Sequence, residues 1–158
     1  MNIRPYIIFL CIITLGLVGF FAVRGGYYPV ATVNGEWVSG GEFHKISRAN
    51  AVYYQNLITL YGKSADGIVP AAQVDFEVPV LTQLIEDRLI EREAREGLGS
   101  DFEALLESRV SEYENDMRLK EAVGKVYGLT FEDYKREFLV PEATREILDS
   151  QLYLKGEK

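Results

Sequence analysis

Histidine and cysteine, the side chains that most often bind transition metals, each occur once in this chain of 158 residues, as His44 and Cys11. A zinc site needs three or four ligands of these types, and an internal disulfide needs a second cysteine. The sequence therefore predicts neither a transition-metal site nor a disulfide. His44 lies beside Lys45 at the start of a helical pattern, so we expect it to be an exposed helical residue.

Carboxylates are the other candidates for chemistry. Glu86, Asp87 and Glu91 are close enough in sequence to suggest an acid/base pair or a calcium site. The spacing of a calcium-binding loop is absent, however, and Arg88 and Arg92 are interleaved, which favours a solvated helix face with ion pairs. A glycine-rich phosphate loop and a GxSxG nucleophile motif are also missing. The residues predict no enzymatic activity and no cofactor.

Aromatic side chains are the most suggestive feature, since the chain has ten Tyr and eight Phe. Residues at helical spacing usually fill a core, but amphipathic rings on a surface can also bind apolar segments of another protein. Both interpretations remain open. The candidate residues for such binding lie on the first helix of the main domain: Phe43, Tyr53, Tyr54 and Tyr61.

The charges exclude one class of partner. The chain has 17 basic and 24 acidic residues, and the only charges in residues 1–24 are Arg4 and Arg24, so residues 25–158 carry a formal charge of −9. Phosphate backbones are bound by clustered Lys and Arg, whereas the bases here alternate with acids. We therefore expect no nucleic-acid partner.

Residues 6–23 read YIIFLCIITLGLVGFFAV, 18 residues without a charge. As a helix they span about 27 Å, close to the thickness of the hydrocarbon core of a bilayer. A signal-peptidase site needs small residues, and Phe20 and Phe21 occupy its natural place. The sequence predicts an uncleaved membrane anchor over residues 1–24. Because long domains translocate largely regardless of charge, we expect the body on the extracytoplasmic (periplasmic or outer) side of the cell membrane.

After the anchor, Gly25 and Gly26 predict a short flexible linker over residues 25–29. The next segment, VATVNGEWV, has two β-prone runs around Asn34-Gly35, the dipeptide that favours a type I′ turn. A short β-hairpin or single strand is therefore expected.

The rest of the chain has helical periodicity. A capping box at Ser39–Glu42 predicts a helix that ends at Gly62, followed by a loop over residues 63–73. The next helix is expected to begin near Pro79 and to end at Gly97. Its apolar stripe predicts a buried face made of Val80, Leu81, Leu84, Ile85, Leu89 and Ile90.

A second capping box at Ser100–Glu103 predicts another helix, and Gly128 ends a further one. Thr130 is expected to cap the last helix, which Pro141 should kink or interrupt. The fold class predicted is mostly α: one transmembrane helix, a hairpin or strand, and a bundle of about five helices over residues 30–150, with residues 151–158 as a tail.

Three motifs together resemble a known family: VATVNGEWVSGGEF at residues 30–43, VLTQLIEDRLIEREARE at 80–96 and GLTFEDYKREF at 128–138. They are similar to the N-terminal chaperone domain of SurA/PrsA-type foldases, which is related to the substrate-binding region of trigger factor. The most specific part is Val33-Asn34-Gly35-Glu36 with Ser39 and Phe43. The pair Trp37-Val38 departs from the family, where a smaller or proline-containing pair is common.

The resemblance implies a membrane-anchored chaperone-like protein that binds unfolded or extended segments of secreted client proteins, with Phe43, Tyr53, Tyr54 and Tyr61 as candidate client-binding residues. Members of the family often carry a parvulin-type prolyl isomerase domain, for which too few residues follow the matching region here. We therefore expect binding without isomerisation. Two alternatives remain open: an anchored helical adaptor for one folded partner, and a non-catalytic part of a prolyl isomerase system.

Overall fold

The computed structural model describes residues 4–61 and 74–156 of the chain. Its elements in order are α1 (Arg4–Arg24), β1 (Pro29–Val33), β2 (Glu36–Ser39), α2 (Gly40–Tyr61), α3 (Glu77–Leu98), α4 (Asp101–Glu114), α5 (Met117–Tyr127), α6 (Phe131–Tyr134), a π-helical turn (Lys135–Leu139) and α7 (Val140–Gly156). Since α6, the π turn and α7 are continuous, five helices follow the hairpin. The predicted mostly-α fold class is confirmed.

Helix α1 contains the predicted anchor. Residues 7–24 have a mean hydropathy of 2.5, and none of this stretch is buried against the rest of the protein. The helix is long and apolar enough to cross a membrane, a criterion that an N-terminal signal sequence also meets. Cys11 lies exposed on its surface.

The segment after α1, predicted as a linker, makes backbone hydrogen bonds. The amide of Gly25 bonds back to the last turn of α1. Across the junction, the Gly41 amide donates to the Gly26 carbonyl at 3.0 Å and the Gly40 amide donates to the Tyr28 carbonyl at 2.8 Å. Gly26 has a φ of +72°, and a Cβ there would lie 2.4 Å from the Cα of Gly41. The end of α1 is thus packed against the start of α2.

The predicted hairpin is present as an antiparallel pair, in which Val33 faces Glu36. The turn residues Asn34 and Gly35 have φ values of 51° and 90°, as a type I′ turn requires. Val38 is fully buried. The hairpin therefore covers the start of α2 and α3 with one apolar face.

Two apolar clusters form the core. The first, here called the hairpin cluster, consists of Val38, Ile46, Val80 and Leu84. The second, here called the α4 cluster, is built from α3, α4 and the last helix and consists of Ala94, Phe102, Leu106, Val110, Leu139, Ala143 and Ile147. Helix α3 contributes to both, so it is the element that joins them.

The buried stripe of α3 differs from the predicted one. Val80 and Leu84 are buried as expected, but Leu89 is 46% exposed and Asp87 is buried in its place. Buried positions 80, 84, 87 and 94 follow a spacing of four, three and seven residues. Residue 89 lies about 200° around the helix from residue 87, which turns Leu89 away from the core.

The predicted helix caps are partly confirmed. The hydroxyl oxygens of Ser39 and Thr130 each accept a hydrogen bond from the amide three residues later, at 3.1 Å. Ser100 makes no such bond, because its helical backbone (φ −65°, ψ −20°) departs from the extended geometry of a capping residue. Asp116, which the sequence analysis missed, caps α5. Gly62 and the predicted loop at 63–73 lie outside the described residues.

The expected interruption near Pro141 takes the form of the π turn. The Val140 amide donates to the Lys135 carbonyl, five residues back, instead of to the carbonyl four residues back. Pro141, which has no amide hydrogen, follows directly in the first turn of α7. Helix α7 continues to Gly156, so most of the predicted tail is helical.

Two leucines on α3 test the position of the core. Leu84→Ala is expected to lower the free energy of unfolding by about 2–5 kcal/mol because it empties part of the hairpin cluster. Leu89→Ala should cost less than about 1 kcal/mol because Leu89 is exposed. Urea denaturation of the full chain in lipid nanodiscs, followed by circular dichroism, measures both. Equal losses would contradict the assigned orientation of α3.

Two glycines with positive φ test the junction. Gly26→Ala and Gly35→Ala impose a similar backbone strain, since both glycines have a left-handed φ. Only at Gly26 does the added methyl group meet backbone; nothing lies within 4 Å of it at Gly35. We expect Gly26→Ala to destabilise the domain by about 1–3 kcal/mol more than Gly35→Ala, measured by the same denaturation. Equal effects would show that the junction is loosely packed.

Candidate functional site

A layer of buried polar side chains separates the two apolar clusters. Asp87, Glu137 and Thr144 are 8%, 5% and 2% exposed. The Asp87 carboxylate accepts a hydrogen bond from the Arg145 guanidinium at 2.7 Å, which joins α3 to α7. The sequence analysis placed Asp87 on a solvated face, and this was wrong: its neighbours Glu86 and Arg92 are exposed, but residue 87 falls on the buried stripe of α3.

Glu137 is buried inside the π turn. Its carboxylate lies 3.4 Å from the Lys45 ammonium and 3.0 Å from the Arg136 guanidinium. Lys45 also donates to Asp133 at 2.6 Å. These contacts join α2 to the last helix. A buried carboxylate is tolerated only when it is paired, and two cations pair this one.

Glu42, in the first turn of α2, is the third carboxylate of this region. The capping box predicted that it would reach back to its own helix cap, but both its oxygens accept from Arg88 of α3, at 2.9 and 3.0 Å. Burial raises the pKa of Glu42, the Arg88 charge opposes that rise, and the Glu137 charge adds to it. Glu42 therefore pairs α2 with α3.

These side chains line a cleft with a volume of about 700 Å³ between α2, α3 and the last helix. Gly25, Gly26 and Tyr27 form another part of its wall, so it lies next to the junction with α1. Each charged side chain in its lining has an ion-pair partner of opposite sign. No group of three or more possible metal ligands was found among the described residues. The cleft holds three helices in position rather than offering unpaired charges to a ligand.

The four predicted binding residues lie in different surroundings. Phe43 is half-buried and packs against the hairpin cluster. Tyr53 stacks on Tyr127 with a centroid distance of 5.2 Å, and Tyr54 meets the edge of Phe76 at 5.9 Å. Tyr61 ends α2 and is 64% exposed. Since 18 residues of helix separate Phe43 from Tyr61, about 27 Å, the four do not form one patch.

An aromatic cluster includes Tyr53 and has Tyr127 at its centre. Its other members are Tyr127, Tyr134 and Phe138, with ring centroids 5.2 to 5.6 Å apart. Burial raises the pKa of both Tyr127 and Tyr134. Tyr134 and Phe138 are four residues apart in the last helix, a spacing that was readable in the sequence, whereas Tyr127 ends α5 and meets them across the turn at Gly128.

Exposed apolar side chains gather along the second half of α2 and the start of α3. Tyr53, Leu60, Tyr61 and Val78 are 37%, 76%, 64% and 66% exposed, and they are here called the α2 rim. The contact between Tyr54 and Phe76 places the start of α3 alongside α2. Two members, Leu60 and Val78, were not among the predicted binding residues. Their exposure depends on how α2 and α3 pack, which helical periodicity alone does not determine.

The single histidine is exposed, as predicted, and its Nε2 lies 2.9 Å from the Tyr28 hydroxyl in a hydrogen bond. Tyr28 follows α1, so this bond also joins the start of α2 to the junction. His44 has no catalytic partner in these contacts.

No protein-family model, curated protein or solved structure matches the chain. The structure defines the class of protein at the level of architecture: a mostly helical domain closely joined to one apolar helix of membrane-spanning length. The resemblance to the foldase chaperone domains stays a prediction.

The buried Asp87 predicts a specific pH dependence. Burial raises its pKa above 3.8, and Arg145 only partly offsets this. The folded state therefore keeps the proton on Asp87 to a higher pH than the unfolded state does. As the pH rises from the unfolded-state pKa to the folded-state pKa of Asp87, this carboxyl progressively lowers the free energy of unfolding. We expect Asp87→Asn to lose less unfolding free energy than the wild type between about pH 4 and pH 7.

The measurement is a series of urea denaturations across that pH range. Glu93→Gln, at an exposed position of the same helix, is the matched control and should keep the wild-type slope. Parallel pH profiles for Asp87→Asn and the wild type would contradict the assigned burial of Asp87.

Proposed function

We propose that the protein is a membrane-anchored, chaperone-like protein that binds unfolded or extended segments of secreted proteins. The observation that carries this proposal is the α2 rim, where large apolar side chains remain exposed on an otherwise acidic domain. Contiguous exposed apolar surface on a soluble domain is typical of sites that bind other proteins. The similarity of the hairpin and helix motifs to foldase chaperone domains supports the same function.

The mechanism is transient burial of client side chains against the rim. Tyr53 and Tyr61 provide broad contact area with few rotatable bonds, and Leu60 and Val78 provide aliphatic contact. None of these contacts reads a particular sequence, which suits a binder of many clients. The net charge of −9 outside the anchor keeps the domain soluble while apolar groups are exposed.

The rim lies far along α2 from the membrane helix. Helix α2 begins at the junction with α1 and has 22 residues, so Leu60 and Tyr61 are about 30 Å of helix from it. A client bound there has room to stay clear of the lipid surface. The body is proposed to lie outside the cytoplasm, where secreted proteins emerge unfolded from the membrane.

A client-aggregation assay tests this function. The full chain in nanodiscs, in molar excess, should slow the aggregation of several unrelated unfolded proteins, and added salt should not weaken the effect because the contacts are apolar. The double variant Leu60→Ser with Tyr61→Ser should lose at least about half of the suppression. Leu105→Ser, an exposed leucine on α4 outside the rim, should retain it.

Two results would overturn the proposal. Unchanged aggregation of all clients, together with one stoichiometric folded partner, would favour the adaptor alternative. Equal activity of the rim variant and the control, with unchanged circular dichroism, would place binding elsewhere. The protein is also expected not to accelerate a proline-limited refolding reaction, and measured acceleration would favour an isomerase.

A further inference from the structure

A second, smaller cleft lies between the first half of α2 and the turn that joins α5 to α6. Its volume is about 300 Å³, and its lining includes the side chains of His44, Lys45 and Arg48. Within the described parts of the chain, no carboxylate lines it. Basic lining without acids is unusual in a chain with a net charge of −7.

The positive charge available in this cleft comes mainly from Arg48. Lys45 is already paired with Asp133 and Glu137. Arg48 is exposed and has no ion-pair partner within residues 4–61 and 74–156. An arginine guanidinium has several N–H groups in a plane, which suits two oxygens of one phosphate or carboxylate. The cleft is thus suited to an anion.

The cleft also lies next to the membrane helix. Gly41 forms part of its wall, and the amide of Gly41 donates to the carbonyl of Gly26, two residues beyond the end of α1. Arg48 is seven residues further along α2, at most about 10 Å of helix. The headgroup layer is about 5–8 Å thick on each side of the hydrocarbon core. Arg48 is therefore separated from the junction with α1 by a length of helix close to the thickness of the headgroup layer.

We propose that this cleft binds the phosphate of an anionic phospholipid in the leaflet at the Arg24 end of α1. Arg48 would bind the phosphate oxygens, and His44 would border the headgroup. Ala49, Val52 and Leu129 form an apolar wall suited to the glycerol and upper acyl chain. This apolar wall and the nearby bilayer favour lipid over free phosphate. The proposal rests on α1 spanning the membrane and is independent of client binding.

The test places the full chain in phosphatidylcholine nanodiscs with increasing fractions of phosphatidylglycerol. Hydrogen–deuterium exchange of residues 41–52 and 127–130 is expected to slow as the anionic fraction rises. In Arg48→Gln the half-maximal effect should need about five times more phosphatidylglycerol. The matched control is Lys125→Gln, which removes another cation without an ion pair in the described parts of the chain, outside the cleft. It should behave like the wild type.

Four results would overturn the proposal. Equal shifts in both variants would show general attraction of the surface to anionic lipid. Equal protection in discs without phosphatidylglycerol would show no preference for the anionic headgroup. Protection by inorganic phosphate in purely phosphatidylcholine discs, at the same level, would assign the cleft to a free anion. A chain that is not recovered with the discs would refute the membrane placement and the lipid site with it.

Discussion

Burial of paired carboxylates between two apolar clusters is the constraint on which the domain depends. Asp87 bonds to Arg145, and Glu137 lies between Lys45 and Arg136, while these cations stay partly exposed. Such pairs contribute little net stability, because removing the carboxylate from water costs about as much as the attraction returns. Leaving one charge without its partner is costly, however. The layer therefore disfavours any packing of α2, α3 and α7 that separates the partners, and this selects one arrangement of the helices.

The same layer connects the domain to α1. Glu42 pairs with Arg88 in the first turn of α2, and the residue before it, Gly41, donates its amide hydrogen bond to Gly26. The close approach of Gly26 to Gly41 leaves no room for a side chain between them. A rotation of α1 about this junction would have to break the backbone hydrogen bonds from Gly40 and Gly41. The position of α1 is therefore coupled to the start of α2.

The two clefts differ because of where charges can find partners. In the larger cleft, three elements converge, and Glu42, Asp87 and Glu137 each pair with a base from another element. In the smaller cleft, α2 faces a turn without acidic side chains in its lining, which leaves Arg48 without an ion pair in the described parts of the chain. Charged side chains thus hold helices together in the larger cleft, whereas in the smaller cleft Arg48 can bind a ligand. The exposed, apolar α2 rim is a third surface.

Local order was determined by the sequence itself. Three kinds of feature depend only on residues close together in the chain: the apolar run of α1, the Asn34-Gly35 turn, and the caps at Ser39 and Thr130. The contacts that form them lie within a few residues, so the local sequence is enough to predict them. The helical content followed from periodicity for the same reason.

Only the tertiary structure decided which side of each helix is buried and which charges pair. Leu89 and Asp87 differ by two positions on one helix, and the exposure of Leu89 and burial of Asp87 follow from the placement of α7 beside α3. Glu42 belongs to a capping box by sequence, yet Arg88 of α3 competes for its carboxylate. The exposure of Leu60 and Val78 likewise depends on neighbouring helices. These outcomes come from residues distant in sequence, whose proximity is set by the burial of apolar surface over the whole domain.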